Sequence, residues 1–211
     1  MIPTKKEMLA ALKKRQGETL TNKFLSTTVA VCGLGGLGSN VSIALARAGI
    51  GRLILIDFDK VEISNLHRQQ YKASQIGKYK TDALSEILKE VAPYVELNIH
   101  AVRIDENNVT KLLKPADVVC EAFDDPTCKA MLANSVLQMM PEKYLISASG
   151  MAGIGKANSI KTRHISNKFY ICGDEISEVN NDVSLISSRV MLCAAHQAHT
   201  VLRVLINKFE V

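Results

Sequence analysis

Short apolar runs alternate with amphipathic stretches along this chain, in an order that predicts a βαβ arrangement. Residues 4 to 16 read as a helix with Met8, Leu9 and Leu12 on one face and Gly17 at its end. The run TTVAVCG (27–33) is apolar and β-branched and leads straight into a glycine-rich turn, which predicts a buried strand. Asn40 to Ala48 carries Val41, Leu45 and Ala48 at helical spacing, and Arg52 to Asp57 is a second apolar strand ending in an acid. Thr81 to Val91 reads as an amphipathic helix stopped near Pro93, followed by strands over Val95 to Ala101 and Asp117 to Ala122. A helix over Cys128 to Met140, ended by Pro141, and a strand over Tyr144 to Ser149 complete the series. Such an order calls for a mainly parallel sheet flanked by helices with right-handed crossovers, the α/β Rossmann-like class.

After Gly155 the pattern changes. Asn158 to His164 and Lys168 to Cys172 are expected to pair as an antiparallel extension, turning at Ile165–Asn167. Residues 173–184 are polar and read as a mobile loop. Ser187 or Ser188 is then expected to cap a helix reaching about Asn207, with Val190, Ala194, Val201 and Leu205 among its apolar positions. No repeat or boundary interrupts the pattern, so one domain over 1–211 is expected. It would comprise a helix at 4–16, a core at 27–150, and a hairpin, crossover loop and last helix over 156–207.

Composition adds mainly exclusions. Of 211 residues, 47% are hydrophobic and 22% charged, the balance of a soluble globular chain. No apolar run approaches the roughly 20 residues of a membrane span, and the N-terminus lacks the continuous apolar core of a signal peptide. A cytoplasmic protein with no membrane partner is expected. The net charge of +5 is too small to indicate nucleic acid. Lys5, Lys6, Lys13, Lys14 and Arg15 crowd the N-terminus without interleaved aromatic residues, as on a solvated helix face. The five cysteines (Cys32, Cys120, Cys128, Cys172, Cys193) include no CxxC pair, which argues against a disulfide framework and a thiolate zinc site.

Gly33-Leu34-Gly35-Gly36-Leu37-Gly38-Ser39 places GxGxxG between a strand and a helix, where glycines let the backbone turn sharply and approach a phosphate. Asp57 follows Gly38 by 19 residues at the end of the next strand, where a carboxylate can accept hydrogen bonds from ribose hydroxyls. This pair indicates a nucleotide without choosing between NAD and ATP. The segment DFDKVEISNLHRQ (57–69) and Lys80 favour ATP, because two cations, Arg68 and Lys80, suit a triphosphate of about four negative charges better than a dinucleotide. Asp124 and Asp125 follow another apolar strand; a carboxylate there can hold Mg²⁺ against phosphates, and either can cap the next helix.

Together GLGGLGS (33–39), DFDKVEISNLHRQ (57–69), Lys80 and Asp124 resemble the ThiF/MoeB branch of the ubiquitin-activating-enzyme superfamily. ASGMAGIG (148–155) and NSIKTR (158–163) are similar to the short ThiF-like sulfur-carrier adenylyltransferases of thiamine biosynthesis. The resemblance implies that ATP and Mg²⁺ are used to adenylate the C-terminal glycine carboxylate of a ubiquitin-like sulfur carrier ending in Gly-Gly. It implies nucleotide contacts from Gly33, Gly35, Gly36, Gly38, Asp57, Asp59, Ser64, Asn65, Gln69 and Asp125. Arg68, Lys80 and Asp124 would serve the chemistry, with Asp124 on Mg²⁺. Arg15, in LKKRQGE, would reach the terminal phosphate of a partner subunit across a homodimer interface. The chain departs from the family where a zinc-binding CxxC pair is common: Phe169-Tyr170-Ile171-Cys172 stands there, and the crossover stretch Asn180 to Ser184 holds no cysteine. No zinc and no catalytic thiol are therefore expected, with Cys172 packed in the hairpin. His196 and His199 are expected in helix packing or a dimer interface. A tRNA or small-molecule carboxylate, and more remotely an NAD-dependent oxidoreductase, stay open as alternatives.

Overall fold

The computed structural model describes residues 2–210. Its strands are β1 (Thr28–Cys32), β2 (Arg52–Ile56), β3 (Glu96–His100), β4 (Val118–Glu121), β5 (Tyr144–Ala148), β6 (Lys161–Ser166) and β7 (Phe169–Gly173). They form a seven-stranded sheet in the order β3-β2-β1-β4-β5-β7-β6. All neighbours are parallel except β6, which pairs antiparallel with β7 at one edge. The helices are α1 (Lys5–Gln16), α2 (Glu18–Leu25), α3 (Gly36–Ala48), α4 (Lys80–Val91), α5 (Val109–Leu113), α6 (Pro126–Met139) and α7 (Ser187–Leu205). The architecture is the expected Rossmann-like one.

Both faces of the central strands are covered, which is why those strands read as unbroken apolar runs. Val29, Val31, Leu53 and Leu55 pack with Phe24 of α2 and with α3, α4 and α7. The alternate residues Ala30, Cys32, Ile54 and Ile56 pack with Val109 and Leu113 of α5 and Leu132 and Val136 of α6. Helices following β1 and β4 thus lie on opposite faces, so the carboxyl ends of these two adjacent strands part. In open α/β sheets that parting is where ligands bind. Among the described residues no helix is long and apolar enough to cross a membrane.

Several local expectations need correction. α3 begins at Gly36, four residues before Asn40, because the glycine loop is itself the first helical turn. α2 and α5 were not expected; α2 is anchored by Thr21 and Phe24. Neither Ser187 nor Ser188 caps α7: the cap position is Ile186, which has no side-chain bond to give, and Ser187 is already helical. The hairpin is displaced toward its turn. Asn158 lies in a short 3₁₀ turn (Ala157–Ser159), held by a hydrogen bond from Arg189 to the Ser159 hydroxyl, while Ile165 and Ser166 belong to β6.

Candidate active-site cleft

A cleft of about 740 Å³ opens over the carboxyl ends of β1, β2, β4 and β5. Gly33, Gly35, Gly36, Asp57, Asp59, Arg68, Gln69, Lys80, Asp124 and Asp125 all line it. Segments up to 92 residues apart, from Gly33 to Asp125, therefore meet at one cleft.

At one end, the glycine loop is held from both sides. Gly33 has φ +89°, and a Cβ on it would stand 2.7 Å from the carbonyl oxygen of Ala122. Asp57, only 7% exposed, accepts hydrogen bonds from the backbone N–H of Leu34 (2.6 Å) and of Asp59 (2.8 Å). Burial raises its pKa, opposed by the Lys80 charge and by those two N–H donors. The Tyr71 hydroxyl donates to the Leu34 carbonyl at 2.7 Å from behind. Lys80, at the first position of α4 and 6% exposed, rests its ammonium on Asp59 (2.6 Å) with Asp57 at 4.0 Å. Buried Asp57 and exposed Asp59 thus face one buried lysine at this end, with Arg68 close by.

Gln69 is 7% exposed and its Oε1 is unpartnered, as is the buried Nε of Arg68. Buried polar groups ordinarily find partners. Two orphans side by side beside Gly35 and Gly36 mark a place shaped for a polar ligand.

Ser64, Asn65 and Gly38 do not line the cleft. The Asn65 side chain accepts from the Glu62 N–H (3.2 Å), and its carbonyl accepts from the N–H of Arg68 and Gln69 (3.2 and 3.0 Å). In this structure it shapes the turn that delivers those two residues. Gly38 lies within α3, where a Cβ would stand 1.8 Å from the Gly33 carbonyl oxygen, so its office is helix-to-strand packing. Arg15 is exposed at the far end of the molecule. Its neighbour Gln16 donates to the carbonyl of Ala48 at the C-terminus of α3 (3.1 Å), and α3 has 13 residues. At about 1.5 Å per residue the glycine loop lies roughly 20 Å away. Arg15 cannot serve the cleft of its own chain.

Asp125 caps α6, accepting from the Cys128 N–H at 2.7 Å. That bond, with others from the Cys128 side chain and Thr127, lowers its pKa. Asp124 is exposed at the cleft edge. Among the described residues no three His, Cys, Asp or Glu side chains group as a metal cage. One exposed carboxylate beside a phosphate site nonetheless suits Mg²⁺, which takes one or two carboxylates and completes its shell with phosphate and water.

Beneath Asp124 lies a network the sequence reading did not assign. Glu121, fully buried, accepts from Lys129 Nζ (3.0 and 3.1 Å), from the Phe123 N–H (2.7 Å) and from the Ser147 hydroxyl. Lys129 also donates to the Ala148 carbonyl (3.0 Å), tying the ends of β4 and β5 together under the cleft. An acid inside the apolar run VVCEA was the available signal, since a buried charge needs a partner.

The far end of the cleft is lined by Ala148–Ala152, Ser177–Val179 and Leu185. These loops are joined by Gly153 N–H to the Ser184 carbonyl (2.8 Å) and Ala152 N–H to the Ser177 hydroxyl (3.0 Å). Arg189 of α7 locks their base, donating to the carbonyls of Gly155 and Lys156 and to Asp174. Burial pushes the Asp174 carboxyl up, but N–H bonds from Ser177 and Ile176, the Ser177 hydroxyl and Arg189 outweigh it and hold the pKa at about 2. With a folded value below that of the unfolded chain, Asp174 stabilises the fold above about pH 4, and this is lost as pH falls through about 2. Asp174→Asn should therefore lower the denaturant midpoint at pH 7 and differ less from wild type at pH 3. A gap independent of pH would show that the carboxylate charge is not what holds the loops.

Cys172 is fully buried, and burial pushes its thiol up to about 11, so it is a packed thiol and no ready nucleophile. His196 meets the Thr162 hydroxyl at 3.0 Å, as helix packing predicts.

The parted strand ends, the glycine loop and the polar cleft define a Rossmann-like domain with a nucleotide-type site. The chain belongs to the ThiF family, whose model matches residues 8–211. It is 33% identical over 135 residues to the adenylyltransferase and sulfurtransferase uba4 of Aspergillus terreus, covering 64% of this chain and 28% of that protein. It is also 33% identical over 130 residues to the adenylyltransferase and sulfurtransferase MOCS3 of Anopheles gambiae, covering 61% and 29%. The chain thus spans under a third of the length of these curated relatives. Its fold is similar to that of the E. coli tRNA N6-threonylcarbamoyladenosine dehydratase TcdA in complex with ATP (TM-score 0.87, 18% identity, covering 99% of this chain and 98% of that one). E. coli MccB with ATP superposes less fully (TM-score 0.67, 22% identity, covering 90% and 59%).

Proposed function

We propose that this chain uses ATP to adenylate a carboxylate, and that the carboxylate is the C-terminal glycine of a ubiquitin-like sulfur carrier. The observation that carries the reading is the division of one cleft into two ends meeting at Asp124, Lys129 and Ala148. One end offers glycine-loop amides, Arg68, Gln69 and Lys80 to phosphates. The other is walled by Ala148, Met151, Ala152, Val179 and Leu185, with Ser149, Ser177 and Glu178 among them, suited to a narrow peptide tail. A carboxylate oxygen arriving from that end attacks the α-phosphorus, and pyrophosphate leaves with the electron pair of the broken P–O bond. No proton needs to move, so the residues position reactants and offset charge. Arg68 and Lys80 lie where charge builds on the leaving group. Asp124 would hold Mg²⁺, which supplies further positive charge to the phosphates. Arg15 would act in trans within a homodimer, the one route its distance from the cleft of its own chain leaves.

A protein partner is favoured over a polyanion by the rim of the tail end. Ile154 (87% exposed), Ile176 (85%) and Val179 (60%) project from its joined loops. Exposed aliphatics rimmed by polar residues mark protein contact. A cytoplasmic step toward thiamine is the pathway this likeness suggests. The tRNA reading has its own support: the chain matches nearly the whole of TcdA, and α1 carries Lys5, Lys6, Lys13, Lys14 and Arg15 with no buried residue. The NAD reading gives Lys80 and Arg68 only the two charges of a dinucleotide's pyrophosphate, where a triphosphate brings about four.

The test is ATP–pyrophosphate exchange with Mg²⁺, given a carrier ending in Gly-Gly or a tRNA pool, for wild type and Asp124→Ala. Carrier-dependent exchange, reduced by about 10²-fold or more in the variant, is the expected result. Exchange with tRNA alone would move the substrate to the second reading. Its absence with every carboxylate, despite ATP binding, would remove the adenylation reading.

A further inference from the structure

Arg103 lines the nucleotide end of the cleft and is used by none of the steps above. It follows β3, and its backbone is fixed by a tight polar turn: Asn108 Nδ2 donates to the Arg103 carbonyl (2.9 Å), while Asp105 accepts from the N–H of Asn107 and Asn108 (2.9 and 3.0 Å). The side chain reaches over the end of β2, where its guanidinium carbon lies 5.7 Å from the centroid of the Phe58 ring. Its far end meets Cys128 Sγ in the first turn of α6 at 3.8 Å. Phe58 and Cys128 stand on different walls of the cleft, so Arg103 bridges its mouth. Phe58 is half exposed, an aromatic face left open beside a cation.

We infer that Arg103 and Phe58 clamp the base of the bound nucleotide, which deepens the nucleotide reading and rests on it. The phosphates are claimed by the glycine loop, Arg68 and Lys80, and Asp57 and Asp59 stand beside them. Val102, Ile104 and Phe123 join this pair in the cleft lining and add apolar surface to it. A planar aromatic base is the part of a nucleoside phosphate that suits it. Guanidinium planes stack on aromatic faces as ammonium groups do not, so arginine at this position selects for a π-system.

The position of Cys128 supplies a direct readout. It is the one cysteine of the five that is not buried, so a thiol reagent applied to the folded protein reports on it alone. The experiment measures the affinity of AMP and of inorganic pyrophosphate by calorimetry, and the rate of thiol labelling with each, for wild type, Arg103→Ala and Arg103→Lys. AMP is expected to slow labelling of the wild type, and pyrophosphate to leave it unchanged. Both variants should bind AMP about ten-fold more weakly and pyrophosphate as wild type does. Equal losses for AMP and pyrophosphate would make Arg103 a phosphate cation and overturn the clamp, as would undiminished AMP affinity in the alanine variant. Wild type that binds ATP but leaves Cys128 unprotected by AMP defeats the clamp alone. Failure to bind either ATP or pyrophosphate defeats the nucleotide reading as well.

Discussion

Lys80→Ala is expected to reduce ATP–pyrophosphate exchange by about 10²–10³-fold, as removal of a charge-stabilising donor from a closed site does. The lysine is placed by α4, whose first residue it is, and its ammonium has little solvent around it. Without nucleotide that charge rests on Asp59 at 2.6 Å. A β- or γ-phosphate in the cleft is a stronger anion, and a flexible four-carbon stem lets the ammonium turn to it. The same substitution also removes the cation that opposes the raised pKa of Asp57. The two consequences separate in binding. Loss of a phosphate cation weakens ATP and pyrophosphate while sparing AMP; loss of support for Asp57, which holds the glycine loop through the Leu34 N–H as well as facing the ribose, weakens all three. Calorimetry showing AMP to suffer as much as pyrophosphate would assign Lys80 to holding Asp57. Contrast with Arg103, whose removal should weaken AMP and spare pyrophosphate, makes the pair a map of the cleft from base to phosphate.

Much of this map could be read from the sequence because burial on both faces of a parallel sheet leaves an unmistakable trace. Val29 to Cys32 and Leu53 to Ile56 have no polar positions because none of their side chains meets water. The acids at strand ends, Asp57 and Asp124, were visible as the first polar residues after such runs. What could not be read depends on which loops meet. Arg103 looks like one more surface cation until β3 is placed beside β2 and α6 brings Cys128 across. Tyr71 looks like a loop aromatic until its hydroxyl is found behind Leu34. Asn65 is the opposite case: in SNLHRQ a polar residue beside Arg68 reads as a ligand contact, whereas in the structure its side-chain oxygen accepts from the Glu62 N–H and its backbone carbonyl from the N–H of Arg68 and Gln69, within the turn that aims those two. The start of α3 was set too late because glycines argue against a helix, although here they permit one to begin against a strand.

That last point gives the other large effect. Gly38→Ala should lower the melting temperature by about 10 °C and abolish nucleotide binding, whereas Gly35→Ala should leave stability nearly unchanged and weaken ATP alone. A Cβ at Gly38 would stand 1.8 Å from the carbonyl oxygen and 2.9 Å from the carbonyl carbon of Gly33, both backbone atoms held by neighbouring strands. Gly33 donates to the Ile56 carbonyl at 2.9 Å, and its positive φ leaves no easy alternative. The first turns of α3 must then lift from β1, unpacking Leu37 and Val41, which are buried. Overpacking of this kind costs about 3 kcal/mol, and a chain of this size loses about 2–4 °C for each. At Gly35 the nearest atom to an added Cβ is Gln69 Nε2 at 3.7 Å, an ordinary contact, so the fold has room for it. The methyl group instead occupies space along the loop where a phosphate must approach the backbone. Thermal melts with and without ATP distinguish the two. The expected pattern is Gly35→Ala melting as wild type does without ATP but with a smaller ATP-induced rise, beside Gly38→Ala melting early in both conditions. Equal destabilisation by both would mean that the motif is conformational throughout and that no phosphate lies against Gly35.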